Sequence, residues 1–391
     1  MPDQLYQKKS ECCGCEACAN VCPKGIIEME ADAEGFLYPK VTNPNKCINC
    51  HRCEKICPIK NASEVTDFRE RAIAGYSLSQ DEIKASASGS LGTAIAKGFI
   101  NQGGVVYGVA YTDDYLGVEY RCATTLDELE QFRTSKYAQS RKKDVFFRVK
   151  SDLDEGKKVL FIGLPCDSYA LQLYLNKKYD NLYVCALICH GPTSPLVHKQ
   201  FVQQLIDEQK CDVDEFSVRY KKEGWKPYYI RAKFRNGHEH LEKFAESTYG
   251  IAFLYMKRPS CNVCQIKRSK IHSDITIGDY HLAAGGQIKP FNKDGVSSAF
   301  IHTEKGAHLV SIAENFQAED IPVKNALYSE AYHRAIPARK NRVEFGQVIS
   351  TKGLDAACGL KSIQSIEREL ARSAWVRRQG AKIKKLILGK R

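Results

Sequence analysis

The chain lacks any long hydrophobic run. Among its 391 residues, stretches such as Val159 to Leu164 are soon interrupted by polar residues, whereas a membrane-spanning helix needs roughly 18 consecutive apolar ones. The first residues, Met1-Pro2-Asp3-Gln4, also lack the basic and apolar segments of a secretory signal. We therefore expect no membrane span and a cytoplasmic location.

Two nucleotide-binding signatures are missing as well. The sequence contains neither G-x-G-x-x-G nor G-x-x-x-x-G-K-S/T, so a dinucleotide Rossmann site and a P-loop are both unsupported. The net charge is +12, but nine Lys and Arg against two Glu from Ser365 onward contribute 9 − 2 = +7 of it. Because the rest of the chain is only mildly basic, we expect no nucleic-acid partner.

Cysteine, by contrast, is abundant, with 17 residues. In a reducing compartment this number indicates metal or redox chemistry rather than disulfides. The pattern C-x2-C-x2-C-x3-C-P occurs twice, first as Cys12, Cys15, Cys18 and Cys22-Pro23, then as Cys47, Cys50, Cys53 and Cys57-Pro58. It is typical of bacterial ferredoxins with two 4Fe-4S clusters, in which the fourth cysteine of each run binds the other cluster.

The spacing therefore predicts two interlocked cluster sites in residues 1–65. Their expected ligands are Cys12, Cys15, Cys18 and Cys57 for one cluster, and Cys47, Cys50, Cys53 and Cys22 for the other. Alternation around Gly35 predicts a short hairpin between the runs. The alternative is a zinc site, although zinc modules usually pair separated C-x2-C knuckles. Cys13 is surplus, and we interpret it as a small buried residue or one that contacts the ligands.

Beyond a polar segment at 59–75, the pattern predicts two further domains and a tail. Strands and helices alternate over 75–210, as at Val159–Gly163 and Leu182–Ile188, which indicates an α/β domain. Fewer helices separate the strands over 211–345, which favours an α+β domain. Residues 346–391 read as a basic helical tail. The expected fold class is α/β plus α+β behind an N-terminal two-cluster ferredoxin domain.

A third metal site is predicted where two strands end. Cys166 follows the strand Val159–Gly163 and Cys189 follows Leu182–Ile188. If these strands are parallel, both thiols lie on the edge where open α/β sheets bind ligands. Asp167 would cap the next helix, and Cys261-x2-Cys264 could complete a four-thiolate set. Zinc, a 4Fe-4S cluster and unrelated buried cysteines remain open on spacing alone.

Residues from about 80 to 345 resemble the β subunit of coenzyme F420-reducing hydrogenase and its relatives. The matching segments are Ser86–Gly92, Thr134–Ser140, Gly163–Cys166, Ile188–Pro192, Cys261–Cys264 and Ser273–Asp279. The resemblance implies a flavoprotein in which FAD lies beside a 4Fe-4S cluster, here bound by Cys166, Cys189, Cys261 and Cys264. Departures include Ser90, where many relatives have glycine, and Tyr280-His281, which replaces a typical Phe-Trp pair.

The flavin residues follow from the same resemblance. They are Ser86, Ser88, Gly89, Ser90, Gly92, Thr134, Ser135, Lys136 and Tyr137. A small, flexible loop at a helix start can hold a pyrophosphate through backbone N–H groups, although an ordinary capped loop has the same sequence pattern. Lys136 would neutralise phosphate or reduced flavin, unless it is a surface lysine. His190 would relay protons, and a packing role is the alternative.

We therefore expect an iron-sulfur flavoprotein oxidoreductase with three 4Fe-4S clusters and FAD. Its partners would be a ferredoxin or another redox protein and a small-molecule substrate, either coenzyme F420 or a polysaccharide-pathway intermediate. An electron-transfer subunit without its own substrate and a zinc-stabilised binding module are the rivals. The basic tail fits a solvated helix, peripheral contact with the inner membrane face or a protein partner, and a homo-oligomer stays open.

Overall fold

The computed structural model describes residues 5–369 and Arg372. Its N-terminal unit contains an antiparallel pair, β1 (Ile27–Ala31) and β2 (Leu37–Val41). Gly35 turns the chain between them with a φ of +83°, which confirms the predicted hairpin. Two short helices, α1 (Ala17–Val21) and α2 (Arg52–Lys55), pack together, and each carries the third cysteine of one run.

The other elements follow in chain order. The strands are β3 (Arg71–Ser77), β4 (Val105–Tyr111), β5 (Val118–Ala123), β6 (Val159–Gly163), β7 (Leu182–Leu187), β8 (Val213–Tyr220), β9 (Tyr229–Phe234), β10 (Glu239–Lys243), β11 (Ile275–Asp279), β12 (Ser297–Ile301) and β13 (Phe316–Ile321). The α-helices are α3 (Gln80–Lys84), α4 (Leu91–Asn101), α5 (Val145–Asp154), α6 (Pro165–Leu175), α7 (Pro195–Gln209), α8 (Thr248–Tyr255), α9 (Glu304–Ser311), α10 (Val323–Ala326), α11 (Glu330–His333), α12 (Arg342–Lys352) and α13 (Leu354–Cys358). Short 3-10 helices lie at Lys9–Glu11, Pro44–Lys46, Glu128–Phe132, Pro259–Val263, Arg268–Lys270 and His281–Gly285.

The main sheet of the described residues has eight strands in the order β13-β3-β12-β11-β7-β6-β4-β5. Strands β4, β6, β7 and β11 are parallel, and the other pairs are antiparallel. Leu160 and Phe161 of β6 are fully buried in two different hydrophobic clusters. Successive strand residues point to opposite faces, so both faces of the sheet are covered, as expected for parallel strands.

A smaller antiparallel sheet, β10-β9-β8, lies beside α7, α8 and α12. Phe216 of β8, Phe201 of α7, Tyr249 of α8 and Phe345 of α12 share one buried cluster. The main sheet crosses the expected domain boundary at residue 210, because β11 pairs in parallel with β7 and β12 and β13 both pair with β3. Strand β3 also begins at Arg71, four residues before the expected start of the α/β domain.

Several local predictions are confirmed. Strand β6 spans the predicted residues Val159–Gly163, and β6 and β7 are parallel, which was only a condition at the sequence level. Helix α7 begins after Ser194, whose hydroxyl accepts a hydrogen bond from the Leu196 N–H at 3.0 Å. The predicted cap at Asp167 is wrong: Leu164 occupies the N-cap position of α6, and Asp167 lies in the first turn.

No helix of the described residues is long and apolar enough to cross a membrane. Of the predicted tail, residues 361–369 are helical and follow α12 and α13. The apolar positions Leu370, Trp375, Ile383 and Ile387 and most of the basic residues lie outside the described residues, so the tail's proposed role stays a prediction.

Candidate metal centres and cofactor site

The first cysteine set lines an inner cavity of the N-terminal unit. Cys12, Cys15, Cys18 and Cys57 all contribute to its wall, so the last cysteine of the second run joins the first three of the first run. Burial raises the pKa of the Cys18 thiol, and the neighbouring thiols of Cys12 and Cys57 raise it further. This set will be called the inner quartet.

The second set lines an outer cavity. Its cysteines are Cys22, Cys47, Cys50 and Cys53, and it will be called the outer quartet. The Asn49 N–H donates to Cys47 Sγ at 3.4 Å. Cys50 is exposed, and the Ile48 side chain beside it is 57% exposed. The structure thus brings together both predicted sets, while their ligation of iron stays a prediction.

Neither set converges as ligands of one ion would. Among the described residues, no group of three or more His, Cys, Asp or Glu side chains is arranged to hold a single metal ion. A 4Fe-4S cluster takes one cysteine at each of its four irons, so its ligands surround a larger volume. The cysteine-lined cavities fit that donor arrangement.

The third set also assembles. Cys166 lies in the first turn of α6, Cys189 follows β7, and Cys261 and Cys264 lie in and directly after the 3-10 helix Pro259–Val263. Burial raises the pKa of the Cys261 thiol, and the neighbouring thiols of Cys189, Cys166 and Cys264 raise it further. Such crowded thiols favour their protonated forms unless a cationic metal compensates the thiolates.

Gly191 makes the close approach within this third set possible. Its φ is +96°, and a Cβ atom there would lie 2.7 Å from the Cys261 Cβ. The Gly191 N–H donates to Cys189 Sγ at 3.2 Å. A residue with a side chain would meet both backbone strain and a steric clash. His190 lies between Cys189 and Gly191 and is exposed, and its proposed proton relay stays a prediction.

Cys13 connects the inner quartet to the third set. It is 8% exposed, and it packs in one buried cluster with Cys15, against which Cys166 lies. Cys13 is therefore buried and contacts a proposed ligand of each site, which agrees with both readings of this surplus cysteine. The contact brings the two sets of cysteines into one continuous cluster.

Arg258 is a fully buried cation beside the same junction. Its guanidinium donates to the carbonyls of Cys12 at 2.6 Å and Leu37 at 2.8 Å, to Gln139 Oε1 at 3.0 Å and to Cys12 Sγ at 3.4 Å. It also lies over the Tyr38 ring, 4.1 Å from its centroid. Except for the Cys12 sulfur, these partners are neutral, although buried charges usually have an ionic partner.

A buried ion pair supports the Cys166 side of the junction. Lys142 Nζ lies 3.2 Å from Asp167 Oδ1, and both side chains are almost completely buried. The Tyr120 hydroxyl donates to the other carboxylate oxygen at 3.2 Å. Glu16 of the N-terminal unit accepts the Lys142 N–H at 3.0 Å. Asp167 thus holds Lys142 instead of capping α6.

The predicted flavin loop lies at the start of α4. Ser88 Oγ donates to the Val296 carbonyl at 2.8 Å, and the Gly89 N–H donates to Ser297 Oγ at 3.0 Å. Ser90 has a φ of +77°, a backbone conformation that glycine adopts without steric cost. Its buried hydroxyl has no hydrogen-bond partner in the structure. Ser86 and Gly92 flank this segment, and all five predicted positions share one short stretch.

The second predicted flavin segment, Thr134–Tyr137, turns inward after Thr134, whose φ is +64°. Lys136 Nζ donates to the carbonyls of Gln131 at 2.7 Å and Arg133 at 2.6 Å, and removal from water lowers its pKa to about 7. The Tyr137 hydroxyl accepts a hydrogen bond from Arg219 at 3.0 Å. Ser135 lies between Thr134 and Lys136 and is half-buried.

Sequence reasoning missed two buried cations that touch the flavin loop. Arg219 donates to the Ala87 carbonyl at 2.6 Å and to Asp279 Oδ2 at 2.9 Å. Lys221 donates to the Ser88 carbonyl at 2.6 Å, and its side chain has no carboxylate partner among the described residues. Burial lowers the pKa of Lys221 to about 7, with Arg219 adding to the effect.

Several polar atoms of these cations and their neighbours are buried without a hydrogen-bond partner among the described residues. They are Arg219 Nε, Trp225 Nε1, His281 Nδ1, Asp294 Oδ2 and Ser90 Oγ. Buried polar groups are normally satisfied, so this concentration indicates a polar ligand. In the sequence, Arg219 and Lys221 look like ordinary surface residues at a strand end. Of the residues in this region, Asp279 and Ser90 lie in segments that carry the family resemblance.

Comparison with known proteins agrees with this arrangement. Residues 156–324 match the family model for the C terminus of the beta subunit of coenzyme F420 hydrogenase/dehydrogenase, and residues 11–61 match that of the 4Fe-4S dicluster domain. The chain joins a 4Fe-4S dicluster domain to an F420 hydrogenase beta-subunit region. This confirms the family resemblance over residues 156–324 and the expected fold class, and relates the N-terminal unit to 4Fe-4S dicluster domains, while the two proposed flavin segments lie outside the matched residues.

Two individual relatives are similar over parts of the chain. An uncharacterized polyferredoxin-like protein of Methanocaldococcus jannaschii is 40% identical over 70 residues, which are 16% of this chain and 42% of the relative. The chain therefore spans less than half of that relative. A chain of the F420-reducing nickel-iron hydrogenase complex from Methanosarcina barkeri is similar with 17% identity and a TM-score of 0.46, over 73% of this chain and 93% of that one.

Proposed function

We propose that this chain is an iron-sulfur flavoprotein oxidoreductase. In this proposal, three 4Fe-4S clusters carry single electrons between a protein donor and FAD, which exchanges electron pairs with an organic substrate. The observation that carries the proposal is one edge of the main sheet. Cys166, Cys189 and Asp279 stand at the carboxyl ends of the parallel strands β6, β7 and β11, where α/β sheets bind ligands.

This edge links the third cysteine set to the cationic loop region. Asp279 binds Arg219, which in turn donates to the Ala87 carbonyl. On the other side, Cys13 connects Cys166 to the inner quartet. A cofactor held at the loop would thus be connected through Arg219 and Asp279 to the sheet edge that carries the third set, and from there through Cys13 to the inner quartet.

The chain's own residues fit the dianionic pyrophosphate and polar ring of FAD. Lys221 is buried and forms no direct ion pair among the described residues, with the carboxylates of Asp279 and Asp294 acting on it only from a distance, so a ligand anion could become its direct partner. Arg219 Nε and Ser90 Oγ are free to donate. FAD, when bound, would supply the step between two-electron and one-electron chemistry. The nine loop residues expected from the family resemblance remain the proposed contacts.

For the substrate we propose coenzyme F420 or a polysaccharide-pathway intermediate, as the resemblance implies. Lys136 and His190 are the proposed proton-handling residues. The pKa of Lys136, at about 7, suits a group that gains and loses a proton near neutral pH. Its hydrogen bonds to two carbonyls can be made by the ammonium and by the neutral amine, which still carries two N–H groups, so both protonation states fit this site.

An electron-transfer subunit without a flavin is the second candidate. One observation favours it: the N–H groups of Gly89 and Leu91 at the start of α4 both point to Ser297 Oγ, at 3.0 and 3.4 Å. The N–H groups of Gly89 and Leu91 are therefore less available to bind the pyrophosphate of a flavin. The 40% identical relative is also polyferredoxin-like over the matched residues.

Anaerobic purification followed by iron, sulfide and flavin analysis separates the two candidates. We expect about twelve irons and one flavin per chain, because each 4Fe-4S cluster contributes four irons. Lys221→Gln should lower flavin occupancy while leaving iron content unchanged, and Cys189→Ser should remove about four irons. About eight irons without flavin would refute the flavoprotein proposal and support the electron-transfer subunit.

A further inference from the structure

The two N-terminal quartets have similar sequences but different surroundings. The inner cavity is lined by Glu11, Glu16 and Glu54, with Lys60 as its cation. The outer cavity has Lys24 and Arg52 in its wall and no acidic residue. The inner quartet also contacts the main domain through Cys13. The asymmetry is therefore one of charge as well as of exposure.

The outer face can be defined by five exposed residues around the outer quartet. They are Lys24, Lys46, Ile48, Arg52 and Lys55. None of its four cations forms an ion pair within the part of the chain that the structure describes. The nearby carboxylate of Glu54 is instead held by His51 at 3.1 Å and Lys60 at 3.2 Å. The outer face thus presents uncompensated positive charge around exposed Cys50 and Ile48.

We propose that the outer face is the docking surface for an acidic one-electron carrier protein, and that electrons enter or leave the chain through the outer quartet. The four cations would steer an acidic partner and orient it. Ile48 would provide an apolar contact beside the proposed cluster. Weak redox encounters typically bury a small area, which suits a face of this size.

The same observations disfavour other anionic partners. None of the outer face residues is aromatic, whereas single-stranded nucleic acids are usually bound by stacking on aromatic side chains. The helix at this face, α2, has only four residues, and an amphipathic membrane anchor needs a longer apolar stripe. A protein carrier also accounts for the position of these charges around the proposed cluster.

The proposal rests on the proposed function only in that the outer quartet holds a cluster. The test compares Lys24→Glu/Arg52→Glu with a matched control, Lys210→Glu/Lys352→Glu. The control makes the same change of charge at two exposed lysines, one directly after α7 and one at the end of α12. Iron content and the EPR spectra of both N-terminal clusters are measured first. A failure to bind iron is thus recognised before docking is measured.

The probe is a reduced acidic bacterial two-cluster ferredoxin, and stopped-flow bleaching gives its second-order rate constant for reducing the chain. We expect the rate constant to fall steeply with salt in the unaltered chain. In Lys24→Glu/Arg52→Glu it should fall at least tenfold and lose most of its salt dependence, while the control pair stays unchanged. Reduced methyl viologen, a cation, should reduce the variant at least as fast as the unaltered chain.

An unchanged ferredoxin rate in a cluster-replete variant would overturn the proposal, as would an equal loss in the control pair. The proposal would also be overturned if the unaltered chain bound vesicles of anionic phospholipid, the charge reversal abolished that binding, and the ferredoxin rate constant stayed unchanged. That result would assign the outer face to a membrane. If the charge-reversed variant fails to bind the outer cluster, Lys24→Gln/Arg52→Gln is tested in its place. Its ferredoxin rate constant should lie between those of the unaltered chain and the charge-reversed variant.

Discussion

Replacing Arg258 with methionine should lower the reduction potential of the inner cluster. Arg258 is fully buried, and its Nη2 lies 3.4 Å from Cys12 Sγ. Its remaining hydrogen-bond partners are neutral, and no carboxylate of the described residues pairs with it. The cluster's own negative charge is therefore the natural counter-charge. Reduction adds one electron to that charge, so a nearby cation stabilises the reduced form.

The magnitude follows from the distance. Two unit charges at 4 Å interact by about 4 kcal/mol at an effective dielectric constant near 20. The added electron is spread over the whole cluster, so we assign about a third to a half of this value, roughly 1.4 to 2 kcal/mol, to the difference between redox states. One decade in the equilibrium constant is about 59 mV for one electron. Arg258→Met should thus lower the inner potential by about 60 to 90 mV.

The assay is an EPR-monitored redox titration of the variant and the unaltered chain. The outer cluster is an internal control, because Arg258 makes none of its described contacts with the outer quartet. Gln139→Ala is the matched variant, since it removes a neutral partner of the guanidinium and should barely change the potential. Equal shifts in both clusters, or no shift in a variant with full iron content, would refute the electrostatic reasoning.

Three further predictions concern buried groups. Gly191→Ala should lower the free energy of unfolding by roughly 1–2 kcal/mol because of the left-handed φ alone, and its Cβ would also clash with Cys261. A variant that keeps all its iron and its melting temperature would contradict the close approach between Gly191 and Cys261. Lys142→Met leaves the Asp167 carboxylate buried without its cation and should destabilise the fold by about 3–5 kcal/mol in urea titrations, whereas Lys142→Met/Asp167→Leu should recover most of it. Burial lowers the pKa of His198 to about 4, below the unfolded value of about 6.5, so its unfolded form takes up a proton first as the pH falls. Stability should therefore drop by about 3 kcal/mol between pH 6.5 and 4, and His198→Phe should lack this part of the drop; identical pH profiles for both chains would exclude His198 as the cause.

Local features of this protein could be predicted from the sequence because short-range spacing encodes them. The cysteine runs specify both N-terminal sets, and their interlocked pairing recurs in the two cavities. Strand β6 was predicted to the residue because a buried parallel strand is a continuous apolar run bounded by polar residues. The turn at Gly35 follows from its position between two alternating segments.

Long-range relations were not accessible in the same way. Arg219, Lys221 and Arg258 resemble solvated cations in the sequence, and only contacts with residues far along the chain make them buried. The sheet crosses residue 210 for a similar reason, since the pairing of β11 with β7 joins segments about ninety residues apart. Periodicity reports which face of an element is apolar, but not which element covers it.

The fold gives the two N-terminal cysteine sets different surroundings, although their sequence motifs are the same. The two cysteine runs are interchangeable by motif, so spacing alone cannot say which cluster faces a partner. Burial and charge decide it: Cys50 and Ile48 are exposed among unpaired cations, while Cys13 holds the inner quartet against Cys166. If both quartets hold clusters, the buried Arg258 beside Cys12 would give the inner cluster the higher potential, because no such buried cation contacts the outer quartet among the described residues; we therefore predict that an electron entering at the outer face moves to the inner cluster.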